Sequence, residues 1–186
     1  VNNLHLIIVD ISILANSIHL GVGKSAVIEV CSMHAENILR EKGDKPHHPR
    51  VLLLAHTGKA ASLISSKYPL LTTPTDIGIF SQGGITIHGA FDFNFGHEVT
   101  SSSDKKLAEL RENLSELRLI IIDEMSLVSA DMVYKIDAKL KEIFHQSKTI
   151  PFAGIGIMLV GDLLQFPPVK AGYIFGPPKN DKSKVA

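Results

Sequence analysis

Cysteine is nearly absent from this chain of 186 residues, charge of either sign is in no excess, and no apolar run approaches membrane length. Each shortage excludes a class of protein. A lone Cys31 cannot build an internal disulfide framework and fits a reducing compartment. Its neighbours Val27, Ile28 and Val30 predict a packed helix face around it, not a nucleophile. Lysine plus arginine and aspartate plus glutamate number 19 each, so no chain-wide basic field draws nucleic acid and any such binding is local. The longest apolar stretches, Leu4 to Val9 and Ile11 to Leu14, are split by Asp10 and too short to span a bilayer. They also lack the basic leader of a secretory signal. No internal repeat occurs, and only Ser101 to Ser103 has low complexity. Apart from His88, the histidines, His47 and His48 included, show no metal-ligand spacing and read as surface groups. What remains is a composition with 45% hydrophobic residues and a length suited to one globular α/β domain.

The most informative segment is Leu119-Ile120-Ile121-Ile122, which ends abruptly in Asp123-Glu124-Met125-Ser126. An apolar run without alternation predicts a central strand of a parallel sheet covered on both faces. Ligands of open α/β sheets bind at the carboxyl ends of such strands, so Asp123 and Glu124 stand where a nucleotide is expected. Adjacent acids suit a division of labour in which one holds Mg²⁺ and the other handles the attacking water. A solvated Asp-Glu turn explains the acids alone equally well. The balance shifts with Gly21-Val22-Gly23-Lys24-Ser25, upstream and just before a helix predicted over Ala26 to Lys42. Its glycines let backbone N–H groups close on phosphates, Lys24 can reach the terminal phosphate oxygens, and the Ser25 hydroxyl can ligate Mg²⁺. The helix adds its positive N-terminal end. A complete phosphate loop carries a further glycine where Ile18 stands, so only the second half of the motif is present. A third segment, Gly161-Asp162-Leu163-Leu164-Gln165-Phe166-Pro167-Pro168-Val169, follows a predicted strand. Its prolines restrict the backbone so that the Gln165 amide is held ready to contact a γ-phosphate.

Between these motifs the chain alternates strands with helices. Leu4 to Val9 and Ile11 to Ala15 compete to be the first strand, and Val51 to Ala55 is the second, behind a polar linker from Gly43 to Arg50. Leu107, Leu110, Leu114 and Leu117 step at helical spacing into the acidic strand; Met132, Ile136, Leu140 and Ile143 repeat the pattern after it. Gly154 to Val160 gives a further strand. Such alternation implies a parallel, helix-covered sheet. Ser66 to Gln82, with Pro69 and Pro74, reads as a loop insertion, and a stretch of mixed character lies between Val9 and Gly21. The expected division is a divergent N-terminal segment with the first strand over 1–20, one ATPase domain over 21–171, and a flexible or truncated tail over 172–186.

The motifs in order, Gly23-Lys24-Ser25, Ala55-His56-Thr57-Gly58-Lys59-Ala60-Ala61, Gly84-Ile85-Thr86-Ile87-His88, Ile122-Asp123-Glu124-Met125-Ser126, Pro151-Phe152-Ala153-Gly154-Ile155 and Gly161-Asp162 through Val169, resemble the petite-integration-frequency (PIF) family of ATP-dependent DNA helicases, which includes the helicases of Helitron transposons. The resemblance runs from Gly21 to Val169 and is most specific in its last two segments. It implies an α/β P-loop NTPase fold, a RecA-like parallel sheet covered by helices on both faces, in a motor that moves 5′ to 3′ on single-stranded DNA. ATP and Mg²⁺ are the implied cofactors, single-stranded or forked DNA the partner, and no membrane is involved. A nuclear location, or a mitochondrial one, and work in DNA repair, recombination or telomere maintenance follow from the same likeness.

Carried over by position, Gly21, Val22, Gly23, Lys24 and Ser25 would hold phosphate, Ser25 and Asp123 would hold Mg²⁺, Glu124 would activate water, and Gln165 would sense the γ-phosphate. Thr57, Gly58, Lys59, Thr86 and His88 match segments that touch the DNA backbone in the family, and short hydroxyl and amide donors at a helix start suit phosphate contacts. Phe91 could stack a base, but its alternation with Phe93 and Phe95 favours packing. The chain departs from the family at Ile18, at His56 where proline is usual, and across Ser66 to Gln82; the adenine-reading element is not recognisable. The second RecA-like domain with its arginines is also absent from these residues. The expectation is therefore a first motor domain, as a fragment, a degenerate transposon-derived copy or an incorrectly joined gene model. Two alternatives stay open: a catalytically inactive nucleotide- or DNA-binding remnant, and another P-loop ATPase, which gives no reason for Gln165 to Pro168 or for Thr86 to His88.

Overall fold

Short runs rich in isoleucine, leucine and valine supply the strands: β1 (Leu6–Asp10), β2 (Val51–Ala55), β4 (Leu119–Asp123) and β5 (Gly156–Gly161), with the brief β3 (Ile85–Thr86) at one side. A computed structural model describes residues 6–10, 23–45, 48–67, 85–93, 104–146 and 149–162, with Pro168, Gly172 and Ile174. In it the strands form one sheet in the order β1-β5-β4-β2-β3, every pairing parallel. The helices are α1 (Gly23–Ile38), α2 (Gly58–Lys67), α3 (Ile87–Phe91), α4 (Asp104–Asn113) and α5 (Ala130–Phe144).

Strand β4 shows why both faces need cover, since Ile120, Ile121 and Ile122 are all fully buried. Ile120 and Ile122 join Leu54 and Leu159 in a core with Leu110 of α4 and Ile136 and Leu140 of α5. Ile121 points the other way with Met158 and Val160, against Ile28 of α1 and Ala60, Ala61 and Ile64 of α2. Each such isoleucine contributes about 1.5–3 kcal/mol, so the central strand has no face it could give to water. The four predicted positions Met132, Ile136, Leu140 and Ile143 are all buried. On α4 the helix stops at Asn113, yet Leu114 and Leu117 beyond it are fully buried. Arg111 joins α4 to α5, donating from Nε to the Ile143 carbonyl at 2.9 Å and from Nη2 to that of Glu142 at 3.2 Å. A cation there also complements the negative end of α5.

Several expectations are corrected. Helix α1 covers Gly23–Ile38, so it starts and ends earlier than Ala26 to Lys42. The first of the two candidate N-terminal runs becomes β1, shifted to Leu6–Asp10. The last strand starts at Gly156 because Phe152, Ala153 and Gly154 take left-handed φ angles of 51, 55 and 84° in a 3₁₀ turn over Pro151–Gly154. The Phe152 N–H donates to Asp137 Oδ1 at 2.6 Å, which ties this turn to α5. Cys31 packs toward the sheet with Val27, whereas Val30 is 54% exposed on the far side of α1. The segments 11–22 and 68–84, most of the expected insertion, and Gln165 lie outside the described residues. Among those described, no helix is long and apolar enough to cross a membrane.

Asp44 and Arg50 anchor the polar stretch that the sequence reads as a linker. Arg50 is 1% exposed, with Nε on Asp44 Oδ2 at 2.7 Å and Nη1 on Glu36 Oε1 at 2.8 Å. Its carbonyl accepts the N–H groups of Arg118 and Leu119, so one residue links α1, β2 and the entrance to β4. His48, read as a surface group, is also buried, its Nδ1 within 2.9 Å of Ser115 Oγ. The Glu41 backbone N–H, and then the Arg50 guanidinium, hold the Asp44 carboxyl down at about 2, against the ordinary 3.8. A depressed carboxylate stabilises the fold above its unfolded pKa and ceases to do so as pH falls through its folded pKa. The melting temperature should therefore fall in the window from about pH 4 to about pH 2. Asp44→Asn, compared by thermal unfolding across that window, should lose this part of the acid sensitivity.

Candidate functional site

Parallel pairing brings the carboxyl ends of all five strands to one edge of the sheet. Asp10 lies opposite Gly161, Val160 opposite Asp123, and both Asp123 and Thr86 opposite Ala55. Whatever follows these strands is gathered there. The crossover geometry that returns the chain for a parallel neighbour starts α1 at this edge as well, at Gly23. The side chains of Lys24 and Ser25 lie outside the described set, as do Gly21 and Val22.

Asp123 ends β4, and its Oδ1 accepts the Glu124 N–H at 2.7 Å. Glu124 then takes a left-handed conformation, φ 57° and ψ 48°, and leads into a 3₁₀ turn over Met125–Leu127. Both acids are half-buried, whereas Met125 and Ser126 are buried beneath them. A left-handed glutamate is held by its surroundings at a cost of order 1 kcal/mol, and the anchored turn supplies the constraint. Gly161 packs against the same turn: a Cβ there would lie 2.7 Å from the Met125 backbone N and 2.8 Å from its Cγ. Gly161→Ala should therefore displace the turn that carries Glu124. The overpacking cost is about 1–3 kcal/mol in thermal unfolding.

Two threonines cap the helices that leave β2 and β3. Thr57 Oγ1 accepts the Ala60 N–H at 3.2 Å, and Thr86 Oγ1 accepts the Gly89 N–H at 3.0 Å. Each hydroxyl keeps its own proton for donation to a ligand. Thr57, Gly58 and Lys59 are exposed, and His88 is half-buried in the first turn of α3. The His88 ring stands edge-on to His56 at 6.5 Å and to Phe93 at 6.2 Å. Burial holds both histidines below the ordinary 6.5, partly opposed at His56 by the Glu124 carboxylate and reinforced at His88 by His56 and Lys135. Both rings are thus neutral near pH 7. Phe91 is fully buried, with its ring 5.6 Å from that of Phe93, so it packs and does not present a face to a base.

Asp123, Glu124, the start of α1 and Gly161 thus share one edge with Thr57 to Lys59, Thr86 and His88. Sequence reasoning missed His56 and the contact of Gly161 with Met125. Both follow from which strands are neighbours, and spacing along the chain does not reveal that order.

A family model described as PIF1-like helicase matches residues 45–173, more than half of the chain. The chain belongs to the PIF1-like helicase family. Among its PIF1 relatives, the ATP-dependent DNA helicase PIF1 of Candida albicans is 32% identical over 127 residues, 62% of this chain and 14% of that protein. The Homo sapiens PIF1 is 32% identical over 104 residues, 54% of this chain and 16% of that one. Pif1 from Bacteroides sp, solved in complex with ADP-AlF4, superposes with a TM-score of 0.55 and 26% identity, covering 90% of this chain and 30% of its own. The PIF1 fold here is accordingly the RecA-like P-loop arrangement, with helices on both faces of a parallel sheet. The chain spans less than a quarter of the length of these two curated PIF1 helicases. The family match begins after α1, so it includes Asp123 and Glu124 but neither Lys24 nor Ser25.

Proposed function

We propose that residues 21–171 are the first motor domain of a PIF1-like ATP-dependent DNA helicase, binding ATP around Asp123 and Glu124 and DNA around Thr57 and His88. The observation that carries this reading is the acid pair at the end of β4, held open by a buried turn on the edge where α1 begins. Gly21 to Gly23 and Lys24 bind the phosphates, Ser25 and Asp123 hold Mg²⁺, and Gln165 meets the γ-phosphate. Mg²⁺ takes hard oxygen ligands, commonly one or two from protein with the rest from phosphate and water, and the half-buried Asp123 carboxylate fits that set. When bound, the metal neutralises charge developing on the phosphate oxygens. Glu124 accepts a proton from the attacking water.

Along the neighbouring strands, the Thr57 and Thr86 hydroxyls, Lys59 and His88 meet the DNA backbone, and Gly58 leaves room for it, having no atom within 4 Å of a would-be Cβ. Coupling of hydrolysis to 5′ to 3′ movement and unwinding, in repair, recombination or telomere maintenance in the nucleus or mitochondrion, belongs to the whole helicase. The second reading, an inactive binding remnant, is favoured by Ile18 in the place of a loop glycine. Mg²⁺-ATP binding and ATP turnover, each measured with and without single-stranded DNA, separate the two. The parent chain should bind nucleotide and Lys24→Ala should bind it markedly more weakly. Equal, negligible binding by both would sink the ATP reading.

A further inference from the structure

His56 leaves β2 immediately after Ala55, and Glu124 leaves β4 immediately after Asp123. Because Ala55 and Asp123 are register partners on adjacent strands, His56 and Glu124 are the next residues along two neighbouring strands at the same sheet edge. The Nδ1 atom of His56 is buried and has no hydrogen-bond partner among the described residues. An imidazole nitrogen left so loses its hydration without a replacement, and buried groups of this kind call for an explanation. On its other flank the His56 ring meets the edge of His88 at 6.5 Å, and the next residue, Thr57, caps α2. His56 therefore lies between the two halves of the edge. It feels the Glu124 charge, and it abuts the two residues placed on the DNA side.

We propose that His56 is a positioning residue for Glu124: its Nδ1–H donates to the Glu124 carboxylate, and DNA resting on Thr57 and His88 sets the ring orientation that makes this bond. This rests on the reading of Glu124 and of the DNA edge given above. The bond satisfies the orphaned nitrogen and fixes a carboxylate that otherwise has several free torsions, and it requires only rotation of side chains on a rigid sheet edge. DNA then stimulates hydrolysis by orienting Glu124, with no movement of the backbone that carries it. Leucine at 56 fills the space without a donor, whereas asparagine places an amide nitrogen near the position of Nδ1.

The test follows the ¹⁵N signals of His56 in the full chain, assigned by their loss in His56→Leu, together with ATP turnover. An oligothymidylate of about ten nucleotides should move the His56 Nδ1 signal, and Glu124→Gln should move the signal of the DNA-bound chain. DNA stimulation of turnover should fall to about onefold in His56→Leu and recover in part in His56→Asn, as expected for a lost and partly restored coupling. A DNA-bound His56 signal unmoved by Glu124→Gln overturns the proposal whether or not the chain turns over ATP. Fluorescence anisotropy on the same oligothymidylate separates the remaining failures. A chain that binds it with the signal unmoved overturns the coupling alone. A chain that does not bind it overturns the DNA edge and the coupling with it.

Discussion

On the proposed reading, Glu124→Gln should lower ATP turnover by about 10²–10⁴-fold and leave nucleotide affinity near that of the parent. The amide keeps the shape of the side chain and one acceptor oxygen, while the negative charge and the ability to take a proton are lost. The structure makes this a clean substitution. Glu124 holds its turn through the main chain, its N–H on Asp123 Oδ1 and its carbonyl on the Leu127 N–H, and its side chain makes no capping bond. Stability should therefore change by no more than about 0.5 kcal/mol, the range of a substitution that breaks no buried contact. Single-turnover hydrolysis beside equilibrium nucleotide binding is the measurement. Turnover retained by Glu124→Gln would remove its role as base. Gly161→Ala gives the opposite signature, a loss of stability, because its Cβ strikes the turn and not the chemistry.

Legibility from the sequence followed how local each cause is. Strand β2 was readable to the residue, since an uninterrupted run from Val51 to Ala55 leaves no other structure available. The face of α5 was equally plain from the spacing of Met132, Ile136, Leu140 and Ile143. The acid pair was readable because a strand end is a local event and its ligand edge is a rule of the fold. Arg50 and His48 were misread because their partners, Glu36, Asp44 and Ser115, lie elsewhere in the chain, and a charged residue in a polar stretch advertises water. The start of β5 was misplaced because Phe152 and Ala153 adopt left-handed backbone, which their side chains do not announce. His56 stayed hidden for a third reason: its meaning depends on β2 and β4 being neighbours.

Arg50→Met should cost about 3–5 kcal/mol, the range for removing one partner of a buried ion pair. The Arg50 side chain is 2% exposed, against 7% for Asp44 and 23% for Glu36. Methionine occupies much of the same volume, so the loss comes mainly from stranding two carboxylates. Glu36 can turn to water and Asp44 keeps the Glu41 N–H as a partner, which places the expected loss near the lower limit. At about 2–4 °C per kcal/mol for a domain of this size, the melting temperature falls by about 6–12 °C. Replacing the whole cluster, Arg50→Met with Asp44→Leu and Glu36→Met, should recover most of the loss, since apolar groups of similar volume often match a buried ion pair. If Arg50→Met alone melts like the parent, the cluster is no anchor. The site lies at the far end of β2 from Ala55 and the acid edge, so binding measured well below the transition should be spared. The sheet would then divide its work by edge, one end fixed by buried charge and the other left with half-buried acids, an orphaned imidazole nitrogen and capped helix starts free to meet a ligand.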